Sequence, residues 1–188
     1  MSRRAALLPL FLVAATLLAV SVAAADPTRF RVQPEASDVR FKATSRLMDA
    51  DGKFSRFAGE VTVDPKDPAT AKITVTIEAV SVDTGIGMRD KHLRGADFLD
   101  VARFPTIKFE SQRVEVTGRK AVVNGQLTVH GVTREIAVPV EVQLSEVALV
   151  AAGEFVLNRR DYGINYSSAW NPVGDSVRVT FTIRARVS

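Results

Sequence analysis

The 188-residue sequence contains no cysteine and only two histidines, His92 and His130. The absence of cysteine excludes disulfide bonds, thiol redox chemistry and a cysteine nucleophile. Two histidines are too few for a three-histidine zinc site, and the sequence has neither an H-E-x-x-H nor a G-x-S-x-G motif. We therefore predict no catalytic residue, no metal site and no cofactor, and we expect a protein that is not an enzyme.

The sequence also has no large excess of positive or negative charge. The 25 lysines and arginines nearly balance the 21 aspartates and glutamates, which gives a net charge of +4. Two of the basic residues, Arg3 and Arg4, precede the predicted domain, so that domain is closer still to neutrality. No cluster of five or more basic residues occurs, and we predict that the protein binds no nucleic acid.

Residues 1–25 have the three-part layout of a secretory signal peptide. Met1 to Arg4 is positively charged, residues 5–22 are uncharged and mostly Leu, Ala and Val, and residues 23–25 are alanines that suit a cleavage site. We predict cleavage, a mature domain of residues 26–188, and a periplasmic or secreted location. A retained membrane anchor is the alternative, because the apolar run approaches the span of about 20 residues that crosses a bilayer.

Apolar and polar residues alternate through most of the remaining sequence, as in half-buried antiparallel strands. The pattern is clearest over residues 72–79 and 177–187. Between Ser111 and Val114 the apolar positions change from odd to even, which predicts a β-bulge near Gln112 and Arg113. Trp and Tyr are too scarce for the aromatic girdles of a membrane barrel, so we do not expect an integral membrane protein.

The segment 87–100 interrupts the alternation and is rich in charge, which indicates a short helical crossover. We predict an all-β fold with about eight antiparallel strands. Such strands can close into a barrel or stack as a sandwich, and a barrel of this size holds either packed side chains or one small ligand. Periodicity does not choose between a filled core and a cavity.

Six blocks of sequence, in order, resemble the YceI-like family, and the resemblance covers essentially all of residues 26–188. The blocks are Ser81–Gly85, Arg89–Arg94, Ala96–Asp100, Phe104–Ser111, Gly125–Arg134 and Asn158–Ile164.

The resemblance implies a single lipocalin-like antiparallel barrel that carries a polyisoprenoid or other long-chain fatty amphiphile in its lumen. An isoprenoid quinone or a prenyl phosphate would fit this description. It also implies a homodimer. Two alternatives remain at this stage: a stress-response structural or interaction protein with a filled core, and an enzyme that acts on prenyl lipids.

Inward-facing apolar positions are the predicted lumen contacts for the ligand chain. They are Phe41, Phe57, Val75, Ile77, Phe98, Phe109, Leu127, Val129, Phe155 and Phe181.

Polar residues around the crossover are the predicted contacts for a headgroup at the cavity mouth. An arginine there would form a two-pronged pair with a phosphate. The alternative is a structural role, in which Arg89, Asp90 and Asp161 pair with one another and His92 ties the crossover to a strand end. The predicted mouth residues are Arg89, Asp90, His92, Arg94 and Asp161.

Overall fold

The computed structural model describes residues 27–188, so the predicted signal peptide lies outside the described residues. Eleven strands and one α-helix make up this part of the chain. The elements are β1 (Thr28–Val32), β2 (Asp38–Ser45), β3 (Ala50–Phe54), β4 (Phe57–Asp64), β5 (Asp67–Glu78), β6 (Val82–Asp83), α1 (Gly87–Arg94), β7 (Thr106–Thr117), β8 (Lys120–Val129), β9 (Val132–Leu144), β10 (Ala148–Asn158) and β11 (Val173–Val187).

Eight of the strands close into an antiparallel barrel, in the order β1-β4-β5-β7-β8-β9-β10-β11, and β1 pairs with β11 to complete the ring. This confirms the predicted all-β barrel with a short helical crossover. Along one edge, the long strand β11 pairs with two strands. It pairs with β1 near Ala185 and with β2 from Val173 to Thr182. Strands β3 and β6 extend the sheet beyond β2.

The predicted β-bulge is confirmed, because the β7–β8 register shifts between Ser111 and Arg113. The Ser111 hydroxyl accepts a hydrogen bond from the Ile73 backbone N–H at 2.8 Å. Beyond this point the ladder between β5 and β7 stops, since its last pair is Thr74 with Glu110. The first half of β5 and the second half of β7 therefore diverge from each other within the described chain.

The two ends of the barrel are built differently. One end, which we call the crossover end, carries α1 and the 3-10 helices Ala79–Ser81 and Arg159–Tyr162. The other end, the turn end, carries the short connections between β4 and β5, β7 and β8, and β9 and β10. Among residues 27–188, no helix combines the length and apolar character needed to cross a bilayer.

A buried arginine holds the crossover end together. The Arg159 guanidinium donates hydrogen bonds to the carbonyls of Ile164 (2.6 Å), Gly174 (3.0 Å) and Val173 (3.1 Å), and to the Asp175 carboxylate (3.0 Å). Arg160 donates to the same carboxylate oxygen at 2.6 Å, and this bond lowers the pKa of Asp175 below its usual value. Arg159 thus ties the 3-10 helix to the start of β11.

We predict that Arg159→Met lowers the free energy of unfolding by about 3 kcal/mol, because it leaves buried carbonyls and part of a carboxylate without their donor. Arg160→Met is the matched control, since its side chain is 50% exposed against 4% for Arg159. An exposed pair of this kind contributes about 1 kcal/mol or less. Urea unfolding followed by circular dichroism measures both variants, and equal losses would contradict the assigned role of Arg159.

Candidate functional site

The barrel encloses a cavity of about 630 Å³. This volume lies within the range of about 300–1,000 Å³ that is usual for small-molecule sites. Its walls are the inward faces of the strands, where β-branched side chains such as Val61, Ile73, Val123, Val138 and Ile183 predominate. The interior is therefore not filled by its own side chains, which answers the question that periodicity left open.

Two phenylalanine rings in the wall lie over glycines of neighbouring strands. Phe181 is directly opposite Gly153, and a Cβ atom added to Gly153 would lie 2.7 Å from the Phe181 ring. A Cβ atom on Gly125 would likewise lie 2.8 Å from the Phe109 ring. Each ring occupies the space that a side chain would otherwise take, so it lies along the wall and leaves the lumen open.

Six of the ten predicted lumen residues line this cavity. Their inward positions follow from the two-residue period of β5, β7, β8, β10 and β11. They are Val75, Ile77, Phe109, Leu127, Phe155 and Phe181.

The other four predicted lumen residues are not part of the cavity wall, because they lie farther toward the crossover end. Phe41 packs against Phe54, with ring centroids 5.6 Å apart. Phe57 belongs to a buried cluster with Val61 and Phe30, and Val129 and Phe98 pack in the cluster around Tyr162.

Val129 and Phe98 belong to the packed layer that closes the crossover end of the barrel. Tyr162 is 2% exposed, and burial raises the pKa of its phenol. Phe98 lies against Tyr166, with ring centroids 4.8 Å apart. The sequence pattern identified the inward faces correctly but did not show where along each strand the packed layer gives way to the cavity.

The predicted polar mouth residues are not at the cavity. Arg89 donates from Nε to the Thr84 hydroxyl at 2.9 Å and from Nη1 to the Asp49 carbonyl at 3.1 Å. The buried Asp90 carboxylate accepts from the Thr84 backbone N–H at 2.8 Å and from its hydroxyl at 2.6 Å. Arg94 donates to the Val80 carbonyl at 2.8 Å. These bonds attach α1 to the segment before it.

His92 and Asp161 also lie at the crossover end. The His92 ring contacts the rings of Phe98 and Tyr166 edge-on, and its Nε2 lies 3.2 Å from Asp97. Asp161 accepts a hydrogen bond from Arg134 through its backbone carbonyl. None of these five predicted mouth residues is among the residues that line the cavity, and their contacts are those of a structural connection. No ion pair in residues 27–188 joins Arg89, Asp90 and Asp161 to one another. Arg89 and Asp90 both bond to the Thr84 hydroxyl instead.

The open end of the cavity is the turn end. Three side chains with polar groups, Arg119, Lys120 and Gln143, are among its lining residues there, and all three are exposed to solvent. Residues 117–120 form the hairpin turn between β7 and β8, and the strand order places this turn beside the lumen. The cavity also reaches Pro68 and Val116, where β5 and β7 diverge.

Acidic and histidine side chains do not gather into a metal site in the described part of the chain, where no group of three or more such residues could hold an ion. The chemistry that the cavity itself offers is apolar. Within residues 27–188, every lining residue other than Gly118, Arg119, Lys120 and Gln143 has a purely apolar side chain.

The sequence profile of the YceI-like domain matches residues 30–185. A UPF0312 protein of Pseudomonas aeruginosa is 46% identical over 87 residues, which are 46% of this chain and 46% of that protein. Protein YceI of Escherichia coli O157:H7 is 46% identical over 85 residues, which are 45% of this chain and 44% of that protein. The chain thus matches slightly less than half the length of these curated relatives.

Solved structures share the fold. Burkholderia cenocepacia BcnA superposes with a TM-score of 0.76 at 25% identity, covering 81% of this chain and 98% of that one. A polyisoprenoid-binding domain from Saccharophagus degradans, implicated in plant cell wall breakdown, gives 0.68 at 18% identity and covers 85% and 98%. The YCEI protein of Campylobacter jejuni gives 0.67 at 21% identity and covers 76% and 88%.

We predict that Asp90→Ala lowers the free energy of unfolding by about 1–3 kcal/mol, because two partly buried donors of Thr84 lose their acceptor. The control is Asp97→Ala, since the Asp97 side chain is 61% exposed and its ion pair is with His92. Exposed pairs contribute at most about 1 kcal/mol. Thermal and urea unfolding test the difference, and a larger loss in the Asp97 variant would refute the anchoring role of Asp90.

Proposed function

We propose that this chain, which belongs to the YceI-like domain family, is a carrier that holds the apolar tail of a polyisoprenoid or similar long-chain amphiphile inside its barrel. The observation that carries the proposal is the cavity of about 630 Å³, whose lining is apolar except at its open end. A wall of Val, Ile, Leu and Phe side chains excludes water from whatever occupies the lumen. It needs no exact polar geometry to do so.

Burial of the tail supplies enough free energy for this role. Moving one CH₂-sized group from water into an apolar site contributes about 0.8 kcal/mol, so ten such groups contribute about 8 kcal/mol. That sum is on the scale of micromolar binding before the entropic cost of association is subtracted. A carrier benefits from this range, because it must also release its ligand.

A structural neighbour with the same fold supports the choice of an isoprenoid chain. The domain from Saccharophagus degradans, which is described as polyisoprenoid-binding, covers 85% of this chain in superposition. The branched methyl groups of an isoprenoid suit a wall of β-branched side chains, since both surfaces are irregular on the scale of one methyl group. An isoprenoid quinone and a prenyl phosphate are both members of this ligand class.

The proposed location of the carrier is the periplasm or the outside of the cell. Residues 1–25 have the layout of a signal peptide, and the chain has no cysteine. Both features suit a periplasmic or secreted protein. The homodimer implied by the family resemblance remains a prediction, and native mass spectrometry would count the subunits.

The cavity counts against the alternative of a structural protein with a filled core. An enzyme acting on prenyl lipids would need a reactive group in the lumen, whereas the described lining consists of apolar side chains and the three exposed polar ones at the rim. Long incubation with farnesyl monophosphate checks this point, because turnover by the purified protein would overturn the carrier proposal in favour of catalysis.

Filling the cavity tests the carrier proposal directly. Ala151 faces the lumen, whereas Ala152, the next residue of β10, faces a shallow groove on the outside of the barrel. We predict that Ala151→Phe weakens binding of farnesol at least about tenfold, because the new ring occupies the space of several CH₂ groups. Ala152→Phe leaves the affinity unchanged.

Isothermal titration calorimetry measures both dissociation constants, and circular dichroism confirms that both variants fold. Equal affinity of the two variants would show that the ligand does not enter the lumen. Native mass spectrometry of the purified protein provides a second check, because a carrier retains an extractable apolar molecule that the Ala151 variant loses. Retention of that molecule by the Ala151 variant would contradict the proposal.

A further inference from the structure

Two cationic side chains stand at the open end of an otherwise apolar cavity. Of the residues between 27 and 188 that line it, only Arg119 and Lys120 carry a charge, and both charges are positive. No aspartate or glutamate of the described part of the chain contributes to the lining. Lys120 also lines the groove on the outside of the barrel, which Glu115 and Glu141 share, so Arg119 is the charged side chain that belongs to the rim alone.

The hairpin between β7 and β8 fixes where these charges stand. Gly118 has a positive φ of 61°, which glycine adopts without strain and which allows the tight turn. The Arg119 carbonyl accepts a hydrogen bond from the Val142 N–H at 2.8 Å, so the turn is attached to β9 as well. Because Val142 and Gln143 also line the cavity, this bond keeps Arg119 beside the opening.

Neither charge is neutralised by an ion pair with a residue in the range 27–188. Among the other exposed arginines of the barrel, Arg113 is paired with Glu115 and Arg178 with Glu154, whereas Arg31 and Arg186 form no ion pair with a residue of this range. Glu141 is opposite Lys120 in the β8–β9 register, but the two side chains form no salt bridge. Arg119 has no acidic register partner among the described strands, so we assign it the main role in recognising an anionic head.

We infer that the cavity selects amphiphiles whose head is anionic, and that Arg119, assisted by Lys120, recognises that head while the tail lies in the lumen. This inference rests on the proposed carrier function and adds the chemical class of the ligand. A guanidinium can pair with two oxygens of a phosphate or a carboxylate at once, and an ammonium adds a second positive charge. Neutral heads, such as an alcohol or a quinone, gain nothing comparable from these two side chains.

Two ligands with the same tail separate the contribution of the head from that of the tail. Farnesyl monophosphate and farnesol share a 15-carbon chain, and they differ only in the phosphate. We predict that wild-type protein binds the phosphate about five- to tenfold more tightly at low ionic strength. This preference shrinks as salt is added, because both cations are exposed and their attraction is screened.

The double variant Arg119→Gln/Lys120→Gln removes the two charges, and we expect it to bind both ligands equally well. The matched control is Lys53→Gln/Lys91→Gln, which removes the same charge from β3 and α1. Both of these lysines are exposed, and neither lines the cavity. The control therefore keeps the wild-type preference for the phosphate, whereas loss of preference in both variants would attribute it to net charge and overturn the inference.

Two further binding experiments identify which part of the ligand the protein recognises. Inorganic phosphate alone, at the concentration at which farnesyl monophosphate saturates the protein, does not displace farnesol if the tail anchors the ligand. Displacement would instead reveal a free phosphate site and overturn the inference. We also expect farnesoic acid, which has a carboxylate head, to bind more tightly than farnesol.

Calorimetry with the wild-type protein also distinguishes failure of this inference from failure of the carrier proposal. If farnesol and farnesyl monophosphate bind equally well, the head is not recognised and the carrier function stands. If neither ligand binds, the carrier proposal itself fails.

Discussion

The seam between β1 and β11 is the contact on which the whole barrel depends. Phe30, at this seam, is 0% exposed and is paired in register with Val187 on one side and Val61 on the other. An open sheet would leave the apolar face of every strand in water, at a cost of about 25 cal/mol per Å². Closure removes that cost and also creates the lumen, so stability and ligand space arise from the same ring of strands.

Closure alone does not produce a cavity, because a barrel of eight strands can fill itself with side chains. Here the inward positions near the turn end are mostly valine, isoleucine and alanine, which are too short to meet across the lumen. The larger Phe109 and Phe181 rings lie over Gly125 and Gly153, where the missing side chains give them room along the wall. The cavity thus depends on glycines within strands as much as on the apolar residues that line it.

Charge is used in opposite ways at the two ends of the barrel. At the crossover end, Arg89, Arg94 and Arg159 direct their donors to carbonyls and to side-chain oxygens, and they hold the connections over a packed apolar layer. At the turn end, Arg119 and Lys120 have no ion-pair partner within the described chain. One end is therefore sealed by satisfied polar groups, and the other keeps its positive charge available beside the opening.

The sequence by itself determined the strands, the bulge, the crossover and the family, because each is a local pattern of alternation or an ordered set of motifs. It also identified which side chains of β5, β8 and β11 point inward, since that follows from a period of two. Only the tertiary structure decided how deep the cavity runs and at which end it opens. Those features depend on strand order and register, which bring Arg119 beside Gln143 and keep Arg89 far from the lumen, and no local pattern encodes such distant neighbours.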